Sequence, residues 1–226
     1  MGFYRGPNIV TDALKFAMDA GSGRSYPGSG VPVNNIINGV AGRLENGVAY
    51  VTSNGGAFDF DGTDDFIKFD DDTALNSQAI TMETWFNLDT TVDQSAFLFE
   101  KGQVNTQYSN FFDIGGSFYF RTLGLSSNDL TVDASLYVTV GVWCHCVTTV
   151  VGGVKKIYFD GVNVATVGPL TGTIPTNTTG LFIGAFGPGS GYRINGKIAV
   201  SRVYTKSLTA AEVLQNFNAQ KSRFGL

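Results

Sequence analysis

The stretch KKIYFDGVNVATV, residues 155–167, alternates apolar and polar side chains on both sides of Asp160-Gly161. An Asp-Gly pair supplies the positive φ that a type I′ turn needs at both central positions, so this spacing predicts a tight β-hairpin. Period two also dominates elsewhere. In AITMETWFNLD, Ile80, Met82, Thr84, Phe86 and Leu88 fall on one side and Thr81, Glu83, Trp85, Asn87 and Asp89 on the other, the pattern of a half-buried strand. AFLFEKG, GSFYFRT and GLFIGAFG are short aromatic or β-branched runs bounded by glycine, as strands of a sandwich are. The 29 glycines against 6 prolines fit a chain with many tight reversals.

Two segments depart from that period. In NIVTDALKFAMDAG, Val10, Leu14, Ala17 and Met18 make a helical stripe, while Leu14, Phe16 and Met18 equally line one face of a strand; periodicity does not choose between them. SLTAAEVLQNFNAQK places Thr209 three residues before Glu212, a capping box. A short helix over residues 208–220 follows, with Val213, Leu214 and Phe217 on the face turned to the sheets. GSGRSYPGSG, residues 21–30, reads as a loop.

The formal charge of −4 and the lack of any lysine- or arginine-rich run leave nucleic acid without an electrostatic footprint. No window approaches 18 consecutive apolar residues, so no membrane insertion is expected, and the first residues lack the apolar core of a signal peptide. Both chain ends are expected to be held by the body of the domain or by neighbours. Cys144 and Cys146 flank His145. On one strand face they are too poorly disposed for a bridge, and with one histidine in the chain a zinc site lacks its fourth ligand. They read as two buried thiols, which suits a reducing compartment.

Several segments together resemble the concanavalin A-like, laminin G-like jelly-roll superfamily. FDFDGTDDFIKF, ITMETWFNLD, VGVWCHCVTTVVGGVKKIYFDGVNVA, LFIGAFG and NGKIAVSRVYTKSLTAAEV follow its motif order from about residue 55 to 214. The resemblance implies an all-β fold, two curved antiparallel sheets in a jelly-roll sandwich with a short C-terminal helix. One domain over 1–226 is expected, with residues 1–45 a lead-in of strand and loop and 55–214 the core sandwich. DALKFAMDAGSGRSYPGSG followed by NNIINGVAGRLENGVAY is similar to the lead-in of laminin G-like proteins encoded by tailed bacteriophages, which makes the ambiguous segment a first strand. That likeness implies a non-enzymatic virion protein, a capsid decoration or tail-fibre component, homo-oligomeric and partnered by other virion proteins.

FDFDGTDDF, residues 58–66, carries four aspartates. As an EF-hand it fails, because Asp64 sits where the loop needs glycine and Asp70 where it needs a bidentate glutamate. Glycosidases on this fold use paired glutamates; Glu45, Glu83, Glu100 and Glu212 form no such motif, so catalysis is not expected. The favoured reading is a turn whose aspartates bond nearby backbone N–H groups, between strands anchored by Phe58, Phe60 and Phe66. The alternative is structural calcium held by Asp61 and Asp64, weakened by Ala199 and Val200 where relatives carry an acidic pair. FDDD, residues 69–72, reads as a solvated acidic loop, and His145 as a strand residue hydrogen-bonded to a neighbour. For host or environmental glycans, the candidate contacts are Tyr108, Tyr192 and Asn195, with Asn105 and Asn110 nearby. A stand-alone lectin-like module is the alternative function.

Overall fold

The computed structural model describes residues 8–91, 95–102, 107–187, 189 and 191–226. The first strands in chain order are β1 (Leu14–Asp19), β2 (Pro32–Asn34), β3 (Ala41–Glu45), β4 (Ala49–Val51), β5 (Ala57–Asp61) and β6 (Phe66–Phe69). The middle of the chain forms β7 (Ile80–Leu88), β8 (Ala96–Lys101), β9 (Tyr108–Phe112), β10 (Ser117–Thr122) and β11 (Asp129–Asp133). Then come β12 (Cys144–Val151), β13 (Val154–Phe159), β14 (Val162–Val167), β15 (Leu181–Ile183), β16 (Asn195–Tyr204) and helix α1 (Ala210–Gln220). One antiparallel sheet runs β14-β13-β12-β7-β16-β5-β4, with β1 also paired to β16. The other runs β11-β10-β9-β8-β15-β6-β3-β2. The main core lies between the two sheets, where Phe58, Phe86, Phe99, Phe112, Phe118 and Ile183 meet.

The Asp160-Gly161 turn forms as expected: φ is +48° and +82° at the two positions, and β13 pairs with β14 across it. The lead-in segment is a strand. A bulge between Leu14 and Phe16 shifts its register, so Phe16 and Met18 enter the main core while Leu14 joins Ala17 on the opposite side. The three residues do not share one face, because one extra residue reverses the alternation.

Strand β7 is not half-buried. All nine of its residues are buried, because α1 and the turn of 3-10 helix at Lys221–Phe224 cover the outer face of its sheet. Trp85 is stacked between Phe224, with ring centres 4.2 Å apart, and Phe217, at 5.8 Å. The capping box is present, with Thr209 accepting from the Glu212 N–H and Glu212 accepting from the Thr209 N–H. The helical face differs from expectation: Leu214 is 45% exposed while Asn216 is fully buried. A polar side chain faces inward there because the surface beneath it carries a charge.

The loop at residues 69–72 is less solvated than its composition implies. Asp70 is exposed, but Asp71 accepts from the fully buried Lys101 ammonium at 2.6 Å, and Asp72 caps the short 3-10 turn at Thr73–Leu75.

Candidate functional site

Three groups of polar or aromatic side chains lie outside the main core. The first is the acidic turn between β5 and β6. The Thr63 N–H donates to Asp61 Oδ1 at 2.7 Å, and the Asp61 N–H donates to Asp65 Oδ2 at 3.1 Å. Gly62 sits at φ +76°, and a Cβ there would lie 2.9 Å from Asn195 Cβ. The turn expected from the sequence is therefore present and needs its glycine. Carboxylate oxygens of Asp61, Asp64 and Asp65 come within 4.8 Å of one another. Burial first, and then the neighbouring carboxylates, push the Asp65 carboxyl up, against the backbone N–H it accepts. Asp61 Oδ2, Asp65 Oδ1 and the Asp64 carboxylate lie outside those hydrogen bonds, a donor set of the hard oxygen type that suits calcium. Asp65, only 4% exposed, joins the pair read from sequence. Ala199 and Val200 are buried in one cluster with Phe224 and bring no side-chain oxygen to the turn.

The second group lies beneath the C-terminal helix. Glu83 Oε1 accepts from Arg202 Nη1 at 2.6 Å and from His145 Nε2 at 3.1 Å. Its Oε2 accepts from Asn216 Nδ2 at 2.8 Å and from the Tyr204 hydroxyl at 3.3 Å. Burial alone drives this carboxyl up. Arg202, His145 and Asn216 overcome that and bring it down to about 2. Every member is buried, so the group acts as a polar rivet. His145 fills the neighbour-bonded role expected of it. Cys144 and Cys146 are free and buried, and burial pushes both thiols up, which keeps them unreactive. The other glutamates are also placed: Glu100 is buried, Glu45 sits on β3, and Glu212 closes the capping box.

The third group covers the outer face of the β11-to-β2 sheet. Register carries one row across it: Arg43, Lys68, Phe182, Glu100, Ser109, Arg121 and Asp129. A second row holds Phe97, Phe111, Tyr119 and Thr131. Phe97 and Phe111 stack with centres 4.5 Å apart, and Phe111 and Tyr119 at 4.8 Å. Those distances match the spacing of adjacent strands, so the rings stand upright and spend most of their faces on one another. The β15–β16 connection brings Phe186 to 4.9 Å and Tyr192 to 6.2 Å from Phe97. Tyr192 is 46% exposed and ends the ladder with an open ring. Arg121 grips Asp129 through two hydrogen bonds of 2.8 Å and lies 4.9 Å from the Phe111 ring centre.

Of the glycan contacts expected from sequence, Tyr192 fits this face and Tyr108 does not. Tyr108 is fully buried, with its hydroxyl donating to the Leu75 carbonyl at 3.2 Å. Alternation along β9 turns residues 108, 110 and 112 inward, so Asn110 also points into the core and accepts from Thr148 across the sheets at 3.0 Å. Asn195 lies half-buried opposite Asp61, beside the acidic turn. Asn105 falls outside the described residues. Phe97, Phe111 and Tyr119 escaped the sequence reading because their partnership exists only once three strands are in register.

This is a jelly-roll protein: two antiparallel sheets, one roofed by a C-terminal helix and the other carrying an aromatic row on its outer face. The family model for the concanavalin A-like lectin/glucanases superfamily matches residues 61–214; the chain belongs to that superfamily. Comparison with the curated proteins finds no match. Among solved structures, Trypanosoma rangeli sialidase in complex with sialic acid is similar at 14% identity and TM-score 0.71, over 96% of this chain and 35% of that one. This chain thus spans about a third of the sialidase chains. Domain 4 of AbnA, an extracellular arabinanase from Geobacillus stearothermophilus, solved with arabinotriose, is similar at 15% identity and TM-score 0.69, over 91% of this chain and 98% of that one. The binding domain of Paraclostridial Mosquitocidal Protein 1 is similar at 14% identity and TM-score 0.72, over 92% of this chain and 52% of that one. At these identities the likeness shows the fold alone.

Proposed function

We propose that this protein is a glycan-binding module whose contact surface is the outer face of the β11-to-β2 sheet. The observation that carries the reading is the ladder Phe97–Phe111–Tyr119, extended by the open ring of Tyr192 and flanked by a row of polar side chains. An amphipathic aromatic with one free face offers apolar contact to a sugar ring, while hydrogen-bonding groups beside it set orientation. The arabinotriose-bound AbnA domain supports the reading by analogy of fold.

A glycan array probed with the full chain, in calcium and in chelator, tests this directly. Binding to at least one glycan class is expected, and Tyr192→Ala weakens it by about tenfold, the equivalent of about 1.4 kcal/mol. An array silent under both conditions overturns the proposal.

Calcium belongs to the same proposal, held by Asp61, Asp64 and Asp65. Millimolar calcium then raises the unfolding temperature and excess chelator reverses the rise, since an ion that binds only the folded chain stabilises it by mass action. Asp64→Asn abolishes the response. An identical melting curve with calcium, magnesium or chelator removes the ion from the proposal. A place on a bacteriophage virion, with virion proteins as partners, rests on the likeness of residues 12–50 alone and is compatible with adhesion to sugars.

A further inference from the structure

Alternation along β3 and β6 sets which side chains leave the core at the β2 end of this sheet. Leu44, Ile67 and Phe69 enter the core between the sheets, so Arg43 and Glu45 on β3 and Lys68 on β6 point outward. Register places Arg43 directly opposite Lys68. Two cations facing each other across adjacent strands, with Cβ atoms about 4.5–5.5 Å apart, repel. Both are open to a ligand: Arg43 is exposed and the Lys68 side chain is 42% exposed. Lys68 has one loose partner, Asp70, at 3.7 Å, whose side chain is 86% exposed. Arg43 forms no ion pair among the described residues. The two cations stand in an open cleft of about 280 Å³, lined also by Val31, Pro32, Glu45 and Asp70. Because the strands are antiparallel, Glu45 and Asp70 fall at opposite ends of the cation pair.

We propose that this cleft binds the carboxylate of an acidic sugar, a uronate, with Arg43 and Lys68 as its two cationic contacts. The proposal rests on the glycan-binding reading and adds a substrate class. Cleft and aromatic row share one sheet face: Lys68 is in register with Phe182 and Phe182 with Glu100 on β8, the strand of Phe97. Two strand spacings, about 9–10 Å, separate β6 from β8. A carboxylate seated between the two cations turns their repulsion into two attractions. The guanidinium fork pairs both carboxylate oxygens, and the ammonium adds a compact point charge. A neutral sugar leaves the repulsion in place. The flanking carboxylates decide between anions, because Glu45 and Asp70 accept from hydroxyls and repel further negative charge. A uronate carries one carboxylate beside ring hydroxyls that donate, which matches cations in the middle and acceptors at both ends. A sulfate or phosphate group brings charge without those donors. Val31, 62% exposed, and Pro32 give the C–H face of the ring an apolar wall.

Calorimetric titration of the full chain tests this with trigalacturonate, its methyl ester, mannotriose, inorganic sulfate and a tri-aspartate peptide. Trigalacturonate is expected to bind about tenfold tighter than its ester, which keeps the ring hydroxyls and loses the charge. Raising the ionic strength from about 0.01 M to about 1 M shortens the screening length from about 30 Å to about 3 Å and weakens that binding. Arg43→Gln weakens trigalacturonate by about three- to tenfold. Arg43→Glu abolishes its binding yet faces Lys68 with the opposite charge, so the unfolding temperature stays at or above that of the parent chain. The loss of binding is thereby separated from any loss of fold. Equal affinity for acid and ester, or trigalacturonate binding that Arg43→Gln leaves unchanged, overturns the uronate assignment; where mannotriose still binds, the glycan-binding reading stands. Tighter binding of sulfate or tri-aspartate than of trigalacturonate overturns the assignment as well. Trigalacturonate binding that responds to Arg43→Gln and not to Tyr192→Ala supports the cleft and overturns the aromatic row as the contact surface. Failure of every sugar to bind overturns both.

Discussion

Glu83→Ala lowers the unfolding free energy by about 3–5 kcal/mol, the usual cost of breaking a buried ion pair from one side. The carboxylate is the shared acceptor for Arg202, His145, Asn216 and Tyr204. Its removal leaves a fully buried guanidinium without a counter-charge and a buried amide without its acceptor. Urea titration followed by far-ultraviolet circular dichroism measures the loss, and a decrease below about 1 kcal/mol would contradict the arrangement. Replacing Glu83 and Arg202 together by methionine recovers much of the loss, because the expense lies in the stranded charge.

The same group sets an acid limit. Its folded-state carboxyl is held at about 2, below the ordinary 4.5. A depressed folded value means the ionised form is favoured by the fold, so the contribution is complete above about pH 4.5 and disappears as pH falls toward 2. Across that window the linkage amounts to about 3 kcal/mol. In Glu83→Gln the stability at neutral pH is lower and the slope between those values flattens. An unchanged acid slope in that variant would show that other carboxyls govern acid unfolding.

Phe224→Ala costs about 3–5 kcal/mol, as for other large aromatics removed from a packed site. Its ring lies 4.2 Å from Trp85 and 4.7 Å from Trp143, and the segment is tied down next door by Arg223, which donates to Asp19, the Asn54 carbonyl and the Gly56 carbonyl. Without Phe224, Trp85 loses the nearest of its three ring neighbours, keeping His145 and Phe217, and water reaches the indole. The expected signature is a red-shifted tryptophan emission in the native baseline together with the lower midpoint. A variant with wild-type emission and a loss under about 1 kcal/mol would mean that Phe217 and His145 suffice to protect the indole.

Much of the local structure is legible from residue order because its causes are local. Asp160-Gly161 makes its turn from two residues' φ preferences, and Thr209 with Glu212 closes a capping box within one helical turn. Asp61-Gly62-Thr63 bends because an aspartate bonds an N–H two residues on. Alternation similarly marks β7, β8, β10 and β13 as strands, since period two needs no knowledge of what lies opposite.

What covers each face is another matter. A strand's alternation has the same form whether water or a helix lies above it, so Trp85 and Glu83 read as solvent-facing until α1 and Phe224 close over them. Tyr108 and Phe111 are three residues apart on one strand, yet one anchors the core and the other joins the aromatic row on the outer face; only pairing with β8 and β10 separates those fates. Asp65 enters the acidic cluster through the bend that brings its carboxylate to the Asp61 N–H, and Leu14 leaves the face of Phe16 through a bulge in its pairing with the remote strand β16. Residue chemistry thus sets the turns, the cap and the strand period. Long-range hydrogen-bonded pairing settles which side chains meet, because the free energy of burial depends on neighbours that are remote along the chain.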